Sequence, residues 1–328
     1  MKSSVRKQIL DAFRQAGDQF LSGEELARTI GCSRTAVWKY MEELRKDGFQ
    51  LEAVRKKGYR IIDVPHHFSV NEFYLGLTTE KIGRNLLFFD SISSTQEMAK
   101  QRALKGDQEG TIIIADEQTA GRGRMNRQWH SNKGTGIWAS LIIRPKIPIQ
   151  KAPQITLLTA VAIAKAIEEI TPNDVSIEIK WPNDIILNGK KVCGILTELQ
   201  AEENRIQSII IGFGLNVNQQ RADFPQQLEQ LATSLSIETN LHFSRSKLLQ
   251  LICLQFEKLY DTYLKTGFSV IKILWESYSN SIGKTITART ISGNYTGTAL
   301  GITEDGVLLL QDEKKEIHYI YSADIEIK

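Results

Sequence analysis

Along the first fifty residues, apolar positions recur at helical spacing in short blocks divided by glycine. Val5, Ile9, Leu10 and Phe13 share one helical face and Gly17 follows them, which predicts a helix over residues 4–17. A second block opens at Ser22, with Glu25 at the spacing of a capping box. A serine oxygen there takes an orphan N–H of the first turn, the glutamate can return the bond, and Leu21 and Leu26 stand where a hydrophobic staple lies. Gly31 ends this helix. Only Cys32 separates Gly31 from Ser33, a further N-cap candidate. The helix that follows carries Val37, Met41 and Leu44 on one face and Arg34, Thr35, Trp38 and Lys39 on the other. The runs Gln50–Val54 and Tyr59–Ile62 then flank Arg55-Lys56-Lys57-Gly58 and predict a β-hairpin with a basic tip.

Residues 65–85 open on Pro65 and lack a strong apolar period, so a linker and one short helix are expected. Beyond Leu86 the pattern alternates. Strands are predicted at Leu86–Phe89, Thr111–Ala115, Gly136–Ile143, Ile177–Lys180, Asp184–Leu187, Lys191–Gln200 and Arg205–Gly214, and helices at Thr95–Lys105, Ile155–Ile170 and Ser244–Thr266. This is the pattern of one mixed α/β domain. From Ile282 the chain turns to short β runs: Lys284–Arg289, Tyr295–Ile302, Val307–Gln311, Ile317–Tyr319 and Ile325–Ile327. Gly293-Asn294 and Asp305-Gly306 are turn signals between them. A small SH3-like barrel is the expected result.

The expected class is therefore a multidomain α+β protein: a winged helix-turn-helix over 1–64, a mixed α/β domain over 65–281 and an SH3-like β-barrel over 282–328. The length of 328 residues agrees, since single cores stop growing at roughly 250–300 residues. No apolar run is long enough to span a bilayer, and the start MKSSVRKQILDAF lacks a signal core, so a cytoplasmic protein with no membrane partner is expected. Cys32, Cys193 and Cys253 show no CxxC spacing, and free buried thiols are expected rather than a disulfide framework. His66-His67 has no acidic or cysteine partner at metal spacing. No metal site is expected, and the pair reads as linker.

Charge adds a direction. Net charge is +3, yet residues 1–64 hold 13 Lys+Arg against 9 Asp+Glu while the remainder holds 28 against 29. The positive excess thus coincides with the helix-turn-helix pattern. In that motif the first turn of the second helix reaches base edges and a basic wing meets phosphates. Ser22, Ser33, Arg34, Thr35, Trp38 and Lys39, with Arg55, Lys56 and Lys57 on the wing, are the candidate DNA-binding residues. A three-helix packing module with solvated charges is the alternative.

Two loops carry the candidate chemistry. Gly121-Arg122-Gly123-Arg124-Met125-Asn126-Arg127-Gln128-Trp129 places three arginines among glycines. Glycine lets backbone N–H groups come close to a ligand, and guanidinium forks take carboxylate and phosphate oxygens bidentately. The loop suits a ligand that bears both groups. No Gly-Lys-Ser/Thr follows, so it is not a Walker A loop. Lys180-Trp181-Pro182-Asn183-Asp184 sets one cation at a strand end before a proline turn; by itself it could be a capped surface turn. Gly212-Phe213-Gly214 hints at a dinucleotide fingerprint, but Val217 stands at the third position and no helix is signalled after it.

The loop GRGRMNRQW, the segment KWPND (Lys180–Asp184) and the strands KVCGILTEL (Lys191–Leu199) and GFGLNVN (Gly212–Asn218) stand in the order found in biotin–protein ligases. Ser93-Ser94-Thr95-Gln96 resembles that family's biotin-contacting turn. The resemblance covers nearly the whole chain and is strongest to bifunctional members that carry a helix-turn-helix and repress biotin genes. Asn126 departs from it, since glycine stands there in some members.

The resemblance implies that biotin and ATP combine to biotinyl-5′-adenylate and pyrophosphate, with magnesium accompanying ATP, before a lysine of the biotin carboxyl carrier protein takes the biotinyl group. It implies Lys180 and Arg124 as catalytic residues. It puts Ser94, Thr95, Gln96, Gln118, Gly121, Arg122, Gly123, Arg124, Lys180 and Gly194 around biotin, and Arg124, Arg127, Trp129, Asn183 and Asn216 around ATP or the adenylate. It further implies operator DNA as a partner and a homodimer in the liganded state. Two other readings compete with it: a transcription factor whose central domain only senses a small molecule, and a lipoate–protein ligase. Intact arginines with Lys180 weigh against the first; the GRGR and KWPND pair with the helix-turn-helix weighs against the second.

Overall fold

The computed structural model describes residues 2–63, 67–203 and 205–327, and Pro65 and His66 lie outside them. The chain divides into two compact units: residues 1–78 with 244–250, and residues 79–243 with 251–328.

The first unit begins with α1 (Lys2–Ala16), α2 (Gly23–Ile30) and α3 (Arg34–Lys46). Ser22 and Ser33 cap α2 and α3, their hydroxyl oxygens accepting the N–H of Glu25 and Ala36 at 3.0 and 3.1 Å. Only half of the expected capping box forms, because the Glu25 side chain is exposed and returns no bond to Ser22 among the described residues. Gly31 takes the left-handed conformation at φ 70° that ends α2, so the turn is fixed by backbone geometry. Ile9, Leu10, Phe13, Leu26, Val37, Met41, Leu44 and Phe49 form the core between these helices. β1 (Gln50–Val54) and β2 (Gly58–Asp63) pair antiparallel as the wing. Leu21 and Tyr59 exchange backbone hydrogen bonds at 2.9 Å, tying the wing to the entry of α2. A Cβ at Gly58 would lie 2.0 Å from the Leu21 carbonyl oxygen, so no other residue fits there without displacing the backbone. α4 (Val70–Gly76), capped by Ser69, is the short helix expected after the linker.

In the second unit, β3 (Asn85–Phe89), β4 (Thr111–Ala115), β5 (Gly136–Ile143), β6 (Ile177–Lys180), β7 (Asp184–Leu187), β8 (Lys190–Glu202) and β9 (Arg205–Asn216) form one seven-stranded sheet in the order β3-β4-β5-β9-β8-β7-β6. Only the β3–β4 pair is parallel. α5 (Thr95–Leu104) packs on β4, β5 and β9, and α6 (Ala152–Ile170) on β6, β7 and β8. Pro153 sits in the first turn of α6, where its missing N–H costs no helical bond, so the helix starts three residues before the expected Ile155.

α7 (Leu235–Thr239), α8 (Arg245–Thr266) and α9 (Ser269–Tyr278) follow. α9 was not expected. Ile271 and Trp275 are buried one turn apart, but no side chain caps the start, so the usual sequence signal for a helix beginning is missing. β10 (Thr285–Thr290), β11 (Gly293–Ile302), β12 (Leu308–Gln311), β13 (Ile317–Ile320) and β14 (Asp324–Ile327) make a five-stranded antiparallel sheet with SH3-like order β13-β12-β11-β10-β14. The first hairpin differs from expectation. Thr290 pairs with Gly293, so Ile291 and Ser292 form the turn while Gly293 and Asn294 already belong to β11. No helix among the described residues is long and apolar enough to cross a membrane.

Candidate active site and nucleic-acid interface

A cavity of about 880 Å³ opens over β8 and β9, within the usual range of roughly 300–1,000 Å³ for small-molecule sites. Its floor is made flat by glycine. Gly194 pairs with Gly214, and Leu196 with Gly212, across the two strands. A Cβ at Gly214 would fall 2.2 Å from Trp129 Nε1, and one at Gly212 would fall 2.4 Å from Gln96 Oε1. Gly212-Phe213-Gly214 is thus the interior of a strand that leaves room for two side chains, which accounts for its failure as a dinucleotide motif.

At one end stand Ser94, Thr95 and Gln96, all buried at the start of α5. Ser94 caps that helix by accepting the Glu97 N–H at 3.4 Å. Gln118 Oε1 accepts from the Thr95 N–H at 2.8 Å and from its hydroxyl at 3.0 Å. Gln96 Nε2 donates to Ile210 O at 3.3 Å. Each polar side chain in this corner is fixed by a neighbour before any ligand arrives.

The loop 121–129 folds back on itself: Gly123 N–H donates to Arg127 O at 2.7 Å and Trp129 N–H to Gly121 O at 2.9 Å. Met125 and Asn126 both hold positive φ, 54° and 56°. Asparagine tolerates that conformation better than most residues, so Asn126 follows the path a glycine would take. Arg122 donates to Glu97, and to Glu198 at 3.2 Å. Arg124 donates to Asn183 Oδ1 at 3.1 Å and to Ser322 Oγ at 2.8 Å. Arg127 is paired with Asp324. Trp129 lies half-buried over the glycine floor with its Nε1–H unpartnered among the described residues.

The opposite wall comes from the β6–β7 turn. Lys180 pairs in register with Asp184 across it, and the Trp181–Pro182 peptide is cis. Trp181 is buried and donates to Gly306 O at 3.2 Å, which makes it a core residue. Asn183 Nδ2 donates to Ile195 O at 2.8 Å. Among the described residues the Lys180 ammonium has no hydrogen-bond or ion-pair partner, although it lines the cavity. Asn216 is buried and engaged through both ends of its amide, by Thr233 O at 3.0 Å and Gln219 Nε2 at 2.9 Å.

Of the residues expected around a ligand, all but Gly121 line this cavity. Gly121 is a turn position behind the wall, where a Cβ would meet Trp129 O at 2.6 Å. The sequence reading missed Lys191. Its ammonium lies 2.8 Å from the Asp184 carboxylate and 5.4 Å from the Trp129 ring centroid, on the cavity wall. It stood within the quoted strand KVCGILTEL, and its place directly before the run that reaches Gly194 was the available signal. Glu97, Glu198, Ser322 and Asp324, the partners of the loop arginines, were also missed; they come from α5, β8, the β13–β14 turn and β14, and nothing local marks them. Cys193 and Cys253 are buried as expected, and burial pushes both thiols up and out of reactivity; Cys32 is only half-buried.

In the first unit, Ser33, Arg34, Thr35, Trp38 and Lys39 are exposed along one side of α3, as are Arg55, Lys56 and Lys57 on the wing. The Lys57 ammonium stands 6.0 Å from the Phe20 ring centroid. The Ser22 and Ser33 hydroxyls accept the capping bonds and keep a proton to donate.

Comparison with known proteins places these features together. Residues 88–216 match the model of the biotin/lipoate A/B protein ligase family, residues 5–60 an HTH domain and residues 281–328 the biotin protein ligase C terminal domain. The chain is 53% identical over 327 residues to the bifunctional ligase/repressor BirA of Bacillus subtilis, covering 100% of both. It is 27% identical over 300 residues to the Escherichia coli protein of the same name, covering 91% of this chain and 90% of that one. Among solved structures, the biotin protein ligase from Aquifex aeolicus in complex with biotin and ATP superposes with a TM-score of 0.64 at 29% identity, over 75% of this chain and 99% of that one.

Proposed function

The chain belongs to the bifunctional ligase/repressor family of biotin protein ligases, and on that premise we propose a two-step reaction and a regulatory role for it. Biotin and ATP give biotinyl-5′-adenylate with release of pyrophosphate. A lysine amine of the biotin carboxyl carrier protein of acetyl-CoA carboxylase then attacks the acyl carbon, loses a proton and releases AMP. The adenylate-bound protein, as a homodimer in the cytoplasm, represses biotin genes. The segments 1–64, 65–281 and 282–328 serve as DNA-binding head, ligase domain and C-terminal domain.

The observation that carries this reading is the unpartnered ammonium of Lys180 on a cavity wall shared with three loop arginines and Lys191. A carboxylate attacking an α-phosphate is opposed by like charge, and fixed cations where charge develops offset that opposition. Lys180 and Lys191 approach the reacting carboxylate and α-phosphate from two strands, with Arg124 beside them. Arg127 takes outer phosphate oxygens by exchanging its bond to Asp324. Ser94, Thr95, Gln96, Gln118, Arg122 and Gly123 surround biotin over Gly194, and Gly121 shapes that corner from behind. Trp129 offers adenine a flat face and an unpartnered N–H, with Asn183 and Asn216 fixing the nearby backbone.

Magnesium is expected to arrive on ATP. The cavity carboxylates Asp184, Asp324 and Glu326 are each paired with a cation, Lys191, Arg127 and Arg289, so they form no ready cage for it. On the head, the first turn of α3 (Ser33, Arg34, Thr35) with Trp38 and Lys39 faces base edges, and Ser22, Arg55, Lys56 and Lys57 face phosphates. Lys180→Ala tests the ligase reading: biotin-dependent pyrophosphate release should drop on the order of a hundredfold or more. Near-normal release would remove Lys180 from the chemistry.

A further inference from the structure

Arg122 differs from the other loop arginines in what holds it. Its guanidinium meets Glu97 on α5 and Glu198 on β8, while Nη1 reaches Asn126 Oδ1 at 3.4 Å within the loop. Lys100, one turn along α5, bridges the same two carboxylates, at 3.3 Å from Glu97 Oε1 and 2.7 Å from Glu198 Oε1. Two cations and two carboxylates therefore alternate in one cluster drawn from a helix, a strand and the loop. Lys100, Glu198 and Arg122 keep only 25%, 25% and 27% of their side-chain surface exposed, so the cluster is partly withdrawn from water. Isolated surface pairs contribute little, but networks with bonds fixed on rigid elements contribute more.

We infer that Glu198 and Glu97, with Lys100 between them, are positioning residues. They hold Arg122, and through it the first half of loop 121–129, against the end of the cavity formed by Ser94, Thr95 and Gln96. This rests on the reading above in taking that end as the biotin end. The second half of the loop is tied separately, by Arg124 to Ser322 and by Arg127 to Asp324. Loss of a clamp carboxylate should thus free the biotin side of the loop and leave the phosphate side in place. Burial raises the Glu198 carboxyl, but hydrogen bonds from Lys100 and Gln96 and the charges of Arg122 and Lys100 outweigh it and hold the group below its ordinary value.

The test is Glu198→Gln in the full chain, which keeps shape and removes charge. Trypsin cleavage after Arg122, located by mass spectrometry, should speed about tenfold, roughly the loss of one charge-assisted hydrogen bond. KM for biotin should rise by about the same factor, with kcat and KM for ATP within about twofold of wild type. If Glu198→Gln lowers Tm sharply, Glu97→Gln carries the test, because that side chain is 48% exposed and its loss leaves no buried charge. Wild-type cleavage and wild-type biotin KM in both variants overturn the clamp, as does a fall in kcat at unchanged KM. The cleavage readout needs no ligase activity. A wild type that makes no adenylate, with a loop that still opens in Glu198→Gln, sinks the ligase reading and leaves the clamp standing.

Discussion

The exposed cations at the wing tip and the start of α3 live differently from those of the cavity. Arg34, Lys39, Arg55 and Lys56 are exposed, and among the described residues no ion pair or hydrogen bond engages their side chains. Arg122, Arg124, Arg127 and Lys191 are each held by a carboxylate, amide or hydroxyl before any ligand arrives. Hydrated cations suit a polyanion, because binding releases its counterions and tolerates many geometries. Held cations suit a transition state, because the order is in place before charge develops. Lys180 is the exception, inside the cavity yet free, which marks it as the group most dependent on an incoming anion.

The largest expected effect breaks the cavity side of this contrast. Gly214→Val puts a side chain where Trp129 Nε1 already lies, 2.2 Å from the first added carbon. Displacing the indole from the floor should lower ATP-dependent adenylate formation about a hundredfold and shift the tryptophan emission, while overpacking costs roughly 1–3 kcal/mol of stability. Unchanged turnover would mean that Trp129 takes no part. Next in size, Arg34→Ala should weaken operator binding by about 1–3 kcal/mol in a gel-shift series and leave pyrophosphate release untouched. An equal loss in both assays would erase the division between the two sets of cations.

The two regions also differed in how readily the sequence disclosed them. On the head, each signal is local to its own element: Ser22 and Ser33 cap the helices they precede, Gly31 turns between them, and the basic tip sits between two short strands. In the cavity, the motifs carried most of the wall, but the partners that orient them did not show. Glu198 is far from Arg122 in sequence, and Asp324 nearly two hundred residues from Arg127, so only the sheet order and the C-terminal strand bring them together. Lys191 was hidden for another reason: it reads as the polar start of a strand until Asp184 and Trp129 are found beside it. Gly293 misled because a glycine near a hairpin marks the turn only when the register agrees, and Thr290 pairs with it instead.

Two smaller effects sharpen the contrast. Ser33→Ala removes the cap of α3 and should destabilise the head by about 1 kcal/mol, read as a lower midpoint in thermal unfolding followed by the helix signal. An unchanged midpoint would leave the cap without energetic weight. The clamp should be pH-dependent in one direction. At Glu97, burial opposes ionisation, but hydrogen bonds and charges from Arg122 and Lys100 hold the carboxyl below its ordinary value; Glu198 is held low likewise. A lowered folded pKa gives stability that is complete above the ordinary glutamate value of about 4.3 and is lost as pH falls through the folded one. The Tm difference between wild type and Glu198→Gln should therefore hold steady from neutral pH down to that value and shrink below it. A difference that grows on acidification contradicts the clamp's electrostatics.

The central claim is that the cavity over Gly194 and Gly214 activates biotin. It is tested most directly by incubating the wild-type chain with ATP, magnesium, a biotin carrier domain and either biotin or lipoate, and weighing the carrier by mass spectrometry. The account predicts that the carrier gains one biotinyl group, only when ATP is present, and gains no lipoyl group. Labelling by lipoate, or no labelling by biotin while biotin still alters operator binding, would contradict it.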